Sequence, residues 1–299
     1  MTRATALAGV LGISFSAIFV RQAAVSPATA TFYRVAYAIP ALAILWFIAR
    51  SRDTRPWRHR FLAAASGVLL AIDLTLFHNS IDHIGAGLAL VLANTQVLFV
   101  GVAAWLLHSE RPTTLARVVV PVVLGGIVLL SGLGRSDAYG DNPLRGVLFG
   151  LGAGIVYAGF LIAFRSSNRG HLAPSAGPLL DATAGATLGA LAIGALFSDL
   201  TLGLEWPAHG WLLALALVVQ TAGWVLISVA LPRLPALDTS VLLLAQPLMG
   251  LIWAQIFFDE PLSAVQWAGA GLVIGGVGLL ATRGTVRVEA RSEKSDRGP

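Results

Sequence analysis

The sequence predicts an all-α integral membrane protein of ten transmembrane helices, arranged as two inverted-topology five-helix repeats with both termini cytoplasmic. Three observations carry this expectation. Hydrophobic residues make up 56% of the 299 and charged residues 12%, about half the charge of a soluble domain. Apolar stretches of about 20 residues, enough to cross a ~30 Å hydrocarbon core, recur along the whole chain. The first half of the chain also resembles the second.

The spans follow in order. The first, 4–24, is followed at once by others and lacks a small-residue cleavage site, so it reads as retained and not as a signal peptide. The second, 30–50, carries Arg34 near its start and runs into a loop holding Arg50, Arg52, Arg55, Arg58 and Arg60. The third, 61–81, contains Asp73, and the fourth, 84–107, contains Asn94 and Gln96. After Glu110 the turn ERPTT supplies a proline suited to the first turn of a fifth helix, 114–132. The sixth, 145–165, spaces Gly146, Gly150 and Gly154 for close helix packing. Asp181 lies in the seventh, 176–198, and Gln220, Trp224 and Ser228 share a face of the eighth, 209–231. Thr239, Gln246 and Trp253 recur every seven residues in the ninth, 236–258, and Glu260 opens the turn EPLS before the tenth, 263–282. The tail from Arg283 reads as a disordered cytoplasmic segment.

Charge sets the orientation. The net charge is +5, and of the 20 Lys and Arg only Arg21, Arg34, Arg135 and Arg145 fall outside or near the outer interface if the amino terminus is inside. The remaining 16 are cytoplasmic, which is the positive-inside pattern. The basic excess is therefore topology and not a nucleic-acid surface, with anionic lipid as a secondary contact. No cysteine is present, which excludes disulfides, thiolate metal sites and Fe–S clusters.

The halves repeat at an offset near 150. VLGGIVLLSGLG at 123–134 matches VIGGVGLLATRG at 273–284, with Gln96 opposite Gln246 and Glu110 opposite Glu260. Upstream the offset drifts, so that Pro27 meets Pro174 and Arg34 meets Asp181. The repeats divide the chain into 1–140 and 141–282. Five spans per half is an odd number, so the second half enters the membrane from the opposite side. Secondary transporters use that architecture and place the substrate near the midplane between halves.

The arginine early in the second span (ATATFYRVAYAIPALAIL), the acid-then-proline turns HSERP and FDEP, and the GG-rich fifth and tenth spans resemble the EamA branch of the drug/metabolite transporters. The resemblance runs to about residue 282. Within the branch the chain is most similar to the YddG-type exporters of aromatic amino acids. The resemblance implies export of small metabolites by alternating access from a bacterial cytoplasmic (inner) membrane, with the cavity built from the first four helices of each half. It implies no cofactor, and a monomer is compatible with it.

Depth and periodicity select the candidate substrate residues. Gln96 and Gln246 sit near mid-span as symmetry mates. Gln220 and Trp224 share one face of the eighth span, and Thr239 and Trp253 share the stripe of Gln246. Ser16 and Tyr157 are equivalent when Gly9 is aligned with Gly150, and His78 and Asn79 belong to a polar stripe with Thr75 and Asp82. The Gln, Ser and Thr among them can also serve as hydrogen bonds between helices, worth about 0.6–2 kcal/mol, and Trp224 and Trp253 can stack on a substrate or fill the core. A charged carboxylate at a helix centre costs about 2.5–3.5 kcal/mol, so Asp73 marks a function or a partner. Three readings stay open for it: an ion pair with Arg34, a protonatable group coupling proton flux, or another partner. Asp181 is a second intramembrane acid, and Glu110 and Glu260 read as turn or gate residues.

The competing classes are weaker. There is no HExxH, GxSG, GxGD or GxxxxGK, and the only lysine, Lys294, lies in the tail, so neither a membrane-embedded enzyme nor ATP-driven pumping fits. The histidines have no metal-ligand spacing. A channel-like facilitator or an exporter of another metabolite or drug remains the alternative. With Arg34 the only basic residue clearly within a span, the site suits a neutral or zwitterionic substrate, such as an amino acid with an apolar or aromatic side chain, better than a multiply anionic one.

Overall fold

A computed structural model describes residues 2–108, 114–130, 139–168, 175–197, 199–203, 205–230, 234 and 236–296. Among the described residues every regular element is helical. α1 (Thr2–Ser14) and α2 (Ser16–Ala23) are joined at Phe15, and α3 (Pro27–Ala36) and α4 (Ala38–Ala49) at Tyr37. The chain continues with α5 (Trp57–Ala93), α6 (Gln96–His108), α7 (Thr114–Leu130), α8 (Pro143–Ser167) and α9 (Ala176–Phe197). Then come α10 (Ala208–Ala214), a π-helical stretch Leu215–Gly223, α11 (Trp224–Ala230), α12 (Ala236–Phe258) and α13 (Ala264–Asp296).

Among the described residues six helices are long and apolar enough to cross a membrane: Arg3–Ala23, Pro27–Arg52, Trp57–Ala93, Pro143–Ser167, Ala176–Phe197 and Ala208–Ala230. Arg117–Leu130, Ala245–Phe258 and Ala264–Leu280 are shorter apolar helices. Their outward faces carry bare Ile48, Leu188 and Ile256, a surface that lipid covers and water does not. Helix starts follow local chemistry. Ser26 accepts from the Thr29 N–H at 3.3 Å with Pro27 next to it, and Asn142 accepts from the Arg145 N–H at 3.1 Å with Pro143 next to it. Each supplies one of the acceptors that a helix amino terminus lacks, and the proline gives up no bonded N–H.

α5 is two helices and not one. Gly85, at φ 82° and ψ 171°, breaks it in a region only glycine occupies readily. The arms then run back alongside each other. Gly150 of α8 lies against Ser80 of the first arm and Leu92 of the second, while Gly159 faces Leu69 and Gly154 faces Thr95 and Phe99. The third and fourth expected spans are therefore a helical hairpin whose tip is Gly85. The fourth breaks again at Asn94–Thr95, so Gln96 begins α6 and does not sit in mid-helix.

The two halves pack by matching contacts. α1 lies on the π-helical stretch and α11 of the second half, and α8 lies on α5 of the first. α3 and α4 meet α9, α5 meets α12, and α7 meets α13. At the α5–α9 crossing the backbones touch: a Cβ on Gly67 would stand 1.9 Å from the Ala182 carbonyl oxygen, and one on Gly185 1.7 Å from that of Ala64. At the carboxy terminus α13 continues to Asp296, past Arg283, where the sequence is expected to become a disordered tail.

Candidate functional site

Arg34 is buried where the two halves meet. Its Nε donates to Gln220 Oε1 at 3.0 Å and its Nη1 to Ser16 Oγ at 2.9 Å, so one guanidinium joins α3, α2 and the π-helical stretch. The π geometry positions the acceptor. Thr221 Oγ1 donates to the Ala216 carbonyl five residues back at 2.9 Å, and the widened turn buries Gln220 at 2% exposure. π segments inside α-helices are frequent at functional sites because they re-aim a side chain without ending the helix.

Asp73 does not take up the direct ion pair that is one of its three sequence readings. It is buried and within electrostatic reach of Arg34 and Tyr157, but Arg34 comes no closer than 4.0 Å and no described residue hydrogen-bonds to it. Arg34 has satisfied itself with neutral partners instead. Around the pair stands an aromatic wall. Trp224 meets Tyr157 edge-on at 6.2 Å and Phe160 edge-on at 6.3 Å, and Phe160 continues to Phe164 at 5.3 Å. Leu70 and Leu74, flanking Asp73, pack into the same cluster with Val35, next to Arg34.

The other predicted positions separate into groups. His78 shares a 2.9 Å hydrogen bond with Thr31 Oγ1, which itself donates to the Pro27 carbonyl at 2.8 Å. The opposite ring nitrogen, Nε2, is enclosed and has no partner. Asn79 turns back to the Thr75 carbonyl at 2.8 Å. Trp253 donates to Ser14 Oγ at 3.0 Å and stacks on Phe15 at 4.9 Å. Gln96 and Gln246 are half-buried, and neither amide is hydrogen-bonded among the described residues. The side chain of Thr239 and all of Glu110 lie outside the described residues. Among the described residues no group of three His, Asp or Glu could hold a metal ion.

Charged clusters tie the halves together at both ends of the first arm of α5. At the Gly85 end, Glu260 accepts the Ala86 N–H at 2.7 Å and the Gly87 N–H at 3.2 Å, placing a carboxylate on the amino terminus of the second arm. Arg21 pairs with the same carboxylate, donates to Tyr139 Oη at 3.0 Å, and lies 4.3 Å over the Phe258 ring. Burial raises the Glu260 pKa against the pull of those backbone groups and of Arg21. Gln266 fixes Tyr139 by accepting its N–H at 2.9 Å and donating to its carbonyl at 3.2 Å.

The other end lies roughly 38 Å away along the helix, at 1.5 Å per residue from Arg60. There Asp181 receives Arg55 and Arg60, each at 2.9 Å. Arg55, fully buried, also grips Asp53 at 2.8 and 2.9 Å, and Trp46 donates to Asp53 at 3.0 Å. Burial alone would raise the Asp53 pKa, but the bonds from Arg55 and Trp46 outweigh it and hold it at about 2. Asp181 thus belongs to a network with the basic loop.

Arg21, Tyr139, Gln266, Asp53 and Trp46 were not singled out by sequence reasoning. Partial signals exist: Arg21 is one of four cations away from the basic side, and Gly85-Ala86-Gly87 is a glycine-rich junction between two apolar runs. Neither names a partner more than a hundred residues away.

The EamA-like transporter family model matches residues 3–132 and again residues 144–282. An uncharacterized transporter, sll1319, of Synechocystis sp. is 28% identical over 230 residues, which cover 73% of this chain. The chain spans 65% of the length of that curated relative. The crystal structure of another protein superposes with a TM-score of 0.60 at 18% identity, over 96% of this chain and 98% of the other. It shares the fold. With two copies of one family unit filling nearly the whole chain, and helices long and apolar enough to cross a bilayer several times, this is a multi-pass membrane protein belonging to the EamA-like transporter family.

Proposed function

We propose that the protein is a secondary transporter that exports amino acids with apolar or aromatic side chains across a bacterial cytoplasmic membrane by alternating access. One observation carries the reading: a buried arginine, bonded among the described residues to neutral Ser16 and Gln220 at the meeting of the two halves, lies next to Val35, which packs with the aromatic cluster of Tyr157, Phe160 and Trp224. A single buried cation suits one carboxylate and not a phosphorylated ligand, and the wall suits an apolar body. Ten spans in two inverted halves are supported by the Gly85 hairpin, which divides one of the six long helices in two, and by the three shorter apolar helices. The basic loop at Arg50–Arg60 favours cytoplasmic termini.

The Arg21–Glu260 contact at the Gly85 end is one that alternating access can break, while the Asp181 cluster holds the two repeats together beside the α5–α9 crossing. Arg21 belongs to the first repeat and Glu260 to the second; Arg55 and Arg60 belong to the first and Asp181 to the second. The test is uptake of labelled tryptophan and phenylalanine into liposomes holding the purified protein, with unlabelled amino acids, nucleosides and sugars as competitors. Saturable uptake blocked by aromatic amino acids is the expected result. Uptake that is absent with and without a proton gradient would overturn the substrate reading.

A further inference from the structure

The guanidinium of Arg34 carries five N–H groups, and among the described residues Nε bonds to Gln220 and Nη1 to Ser16. Both partners are neutral and leave its charge uncancelled. Asp73 is as deeply buried and lies within electrostatic reach, yet the two groups do not close into a pair. Among the described residues the Asp73 carboxylate, the Tyr157 hydroxyl and the Trp224 indole N–H make no hydrogen bond, but none of them is enclosed as His78 Nε2 and Thr183 Oγ1 are. Each of these groups therefore keeps some accessible surface, and Tyr157, edge-on to Trp224, lies within electrostatic reach of both Arg34 and Asp73.

Two opposite charges held apart in a poorly solvated site are each costly unless something compensates both. A singly charged ligand compensates one and leaves the other. A neutral ligand compensates neither. A ligand carrying an anion and a cation on neighbouring atoms does both at once, with charge-assisted bonds at each pole.

We propose that Arg34 and Asp73 form a bipolar subsite that reads the two ends of a zwitterion, Arg34 taking the carboxylate and Asp73 the ammonium group of an α-amino acid. The substrate side chain then lies against Trp224, Tyr157 and Phe160. Tyr157, within electrostatic reach of both charges, stands beside the α-carbon end of the ligand. This rests on the amino-acid reading above and adds to it which residue discriminates which end. Amines lacking the carboxylate and acids lacking the ammonium group are excluded by the pole they leave bare, whatever their side chain.

The experiment is inhibition of labelled tryptophan uptake in proteoliposomes by tryptophan, by tryptamine, which lacks the carboxylate, and by indole-3-propionate, which lacks the ammonium group. In the unmodified protein both analogues should inhibit at least about tenfold more weakly than tryptophan, the loss of one charge-assisted contact. D73N should weaken tryptophan about tenfold and leave indole-3-propionate unchanged; R34K should weaken tryptophan and leave tryptamine unchanged. Should either variant fail to elute as a monodisperse species, the comparison in the unmodified protein decides alone. Analogues within about twofold of tryptophan, or a D73N effect equal on all three ligands, would overturn the pole assignment while leaving amino-acid transport standing. No saturable tryptophan uptake at all would overturn both.

Discussion

Replacing Gly85 by alanine tests the hairpin and the carboxylate cap together. At φ 82° and ψ 171° an L-residue is strained by about 1–3 kcal/mol. The new Cβ would lie 2.6 Å from Glu260 Oε1 and 2.6 Å from Tyr139 Cε1, so Glu260 must also leave the Ala86 and Gly87 N–H groups. Hydrogen bonds to a charged group are worth about 1.5–3 kcal/mol. With both bonds lost the combined cost is about 4–9 kcal/mol. The assay is the temperature at which the detergent-solubilised protein ceases to elute as a monodisperse species. Gly125→Ala is the internal control: its Cβ meets nothing within 4 Å, and in a helix alanine is favoured over glycine by about 1 kcal/mol. G125A should match or exceed the parent protein, whereas G85A should fall well below it. Equal midpoints for the two variants would refute the hairpin and the cap as described.

At the opposite end, Asp181→Asn leaves the fully buried Arg55 with Asp53 as its one carboxylate partner among the described residues and should destabilise by up to about 3–5 kcal/mol. D181N combined with R55M should cost less than the two single changes summed, and strict additivity would refute the pairing. Because the folded pKa of Asp53 is held at about 2 against an ordinary 3.8, its contribution is intact above the unfolded value and lost as pH falls through the folded one. The unfolding midpoint should therefore drop between pH 4 and pH 2 by more in the parent protein than in D53N; identical pH profiles would contradict this. Gln96→Ala and Gln246→Ala should each lower tryptophan uptake with folded yield unchanged, and unaltered uptake in both would remove these residues from the transport path.

The helices were legible because apolarity over twenty residues is a local property, and six of the segments marked from it are long apolar helices here. The doubling was legible because matched residues recur at a fixed offset, and the family unit does match twice. Interruptions were less visible. Phe15, Tyr37 and Thr95 carry no strong breaker signal, and the π-helical stretch Leu215–Gly223 shifts the phase on which a helical wheel depends. Ser16, Arg34, Asp73, Tyr157, Gln220 and Trp224 stand out in the sequence as polar or aromatic groups at depth. That Arg34 bonds to residues 18 behind it and 186 ahead, and leaves Asp73 aside, depends on helix rotation and side-chain reach. Periodicity fixes neither. The clusters around Glu260 and Asp181 were hidden for the same reason: loop charges look solvated until the opposite repeat folds over them.

The backbone contact at Gly67 and Gly185 has a mechanical consequence. With no side chain between them, the first arm of α5 and α9 cannot slide or rotate against each other without collision, and neither can separate without opening a void where no side chain is long enough to follow. This crossing locks one helix of each repeat against the other, with α8 packed along the same arm. Any movement of one half against the other would then fall to the elements around that crossing: α1 and α2, the π-helical stretch with α11, and α12. Distances measured between spin labels on α5 and α9 should stay constant across every state that the rest of the bundle visits.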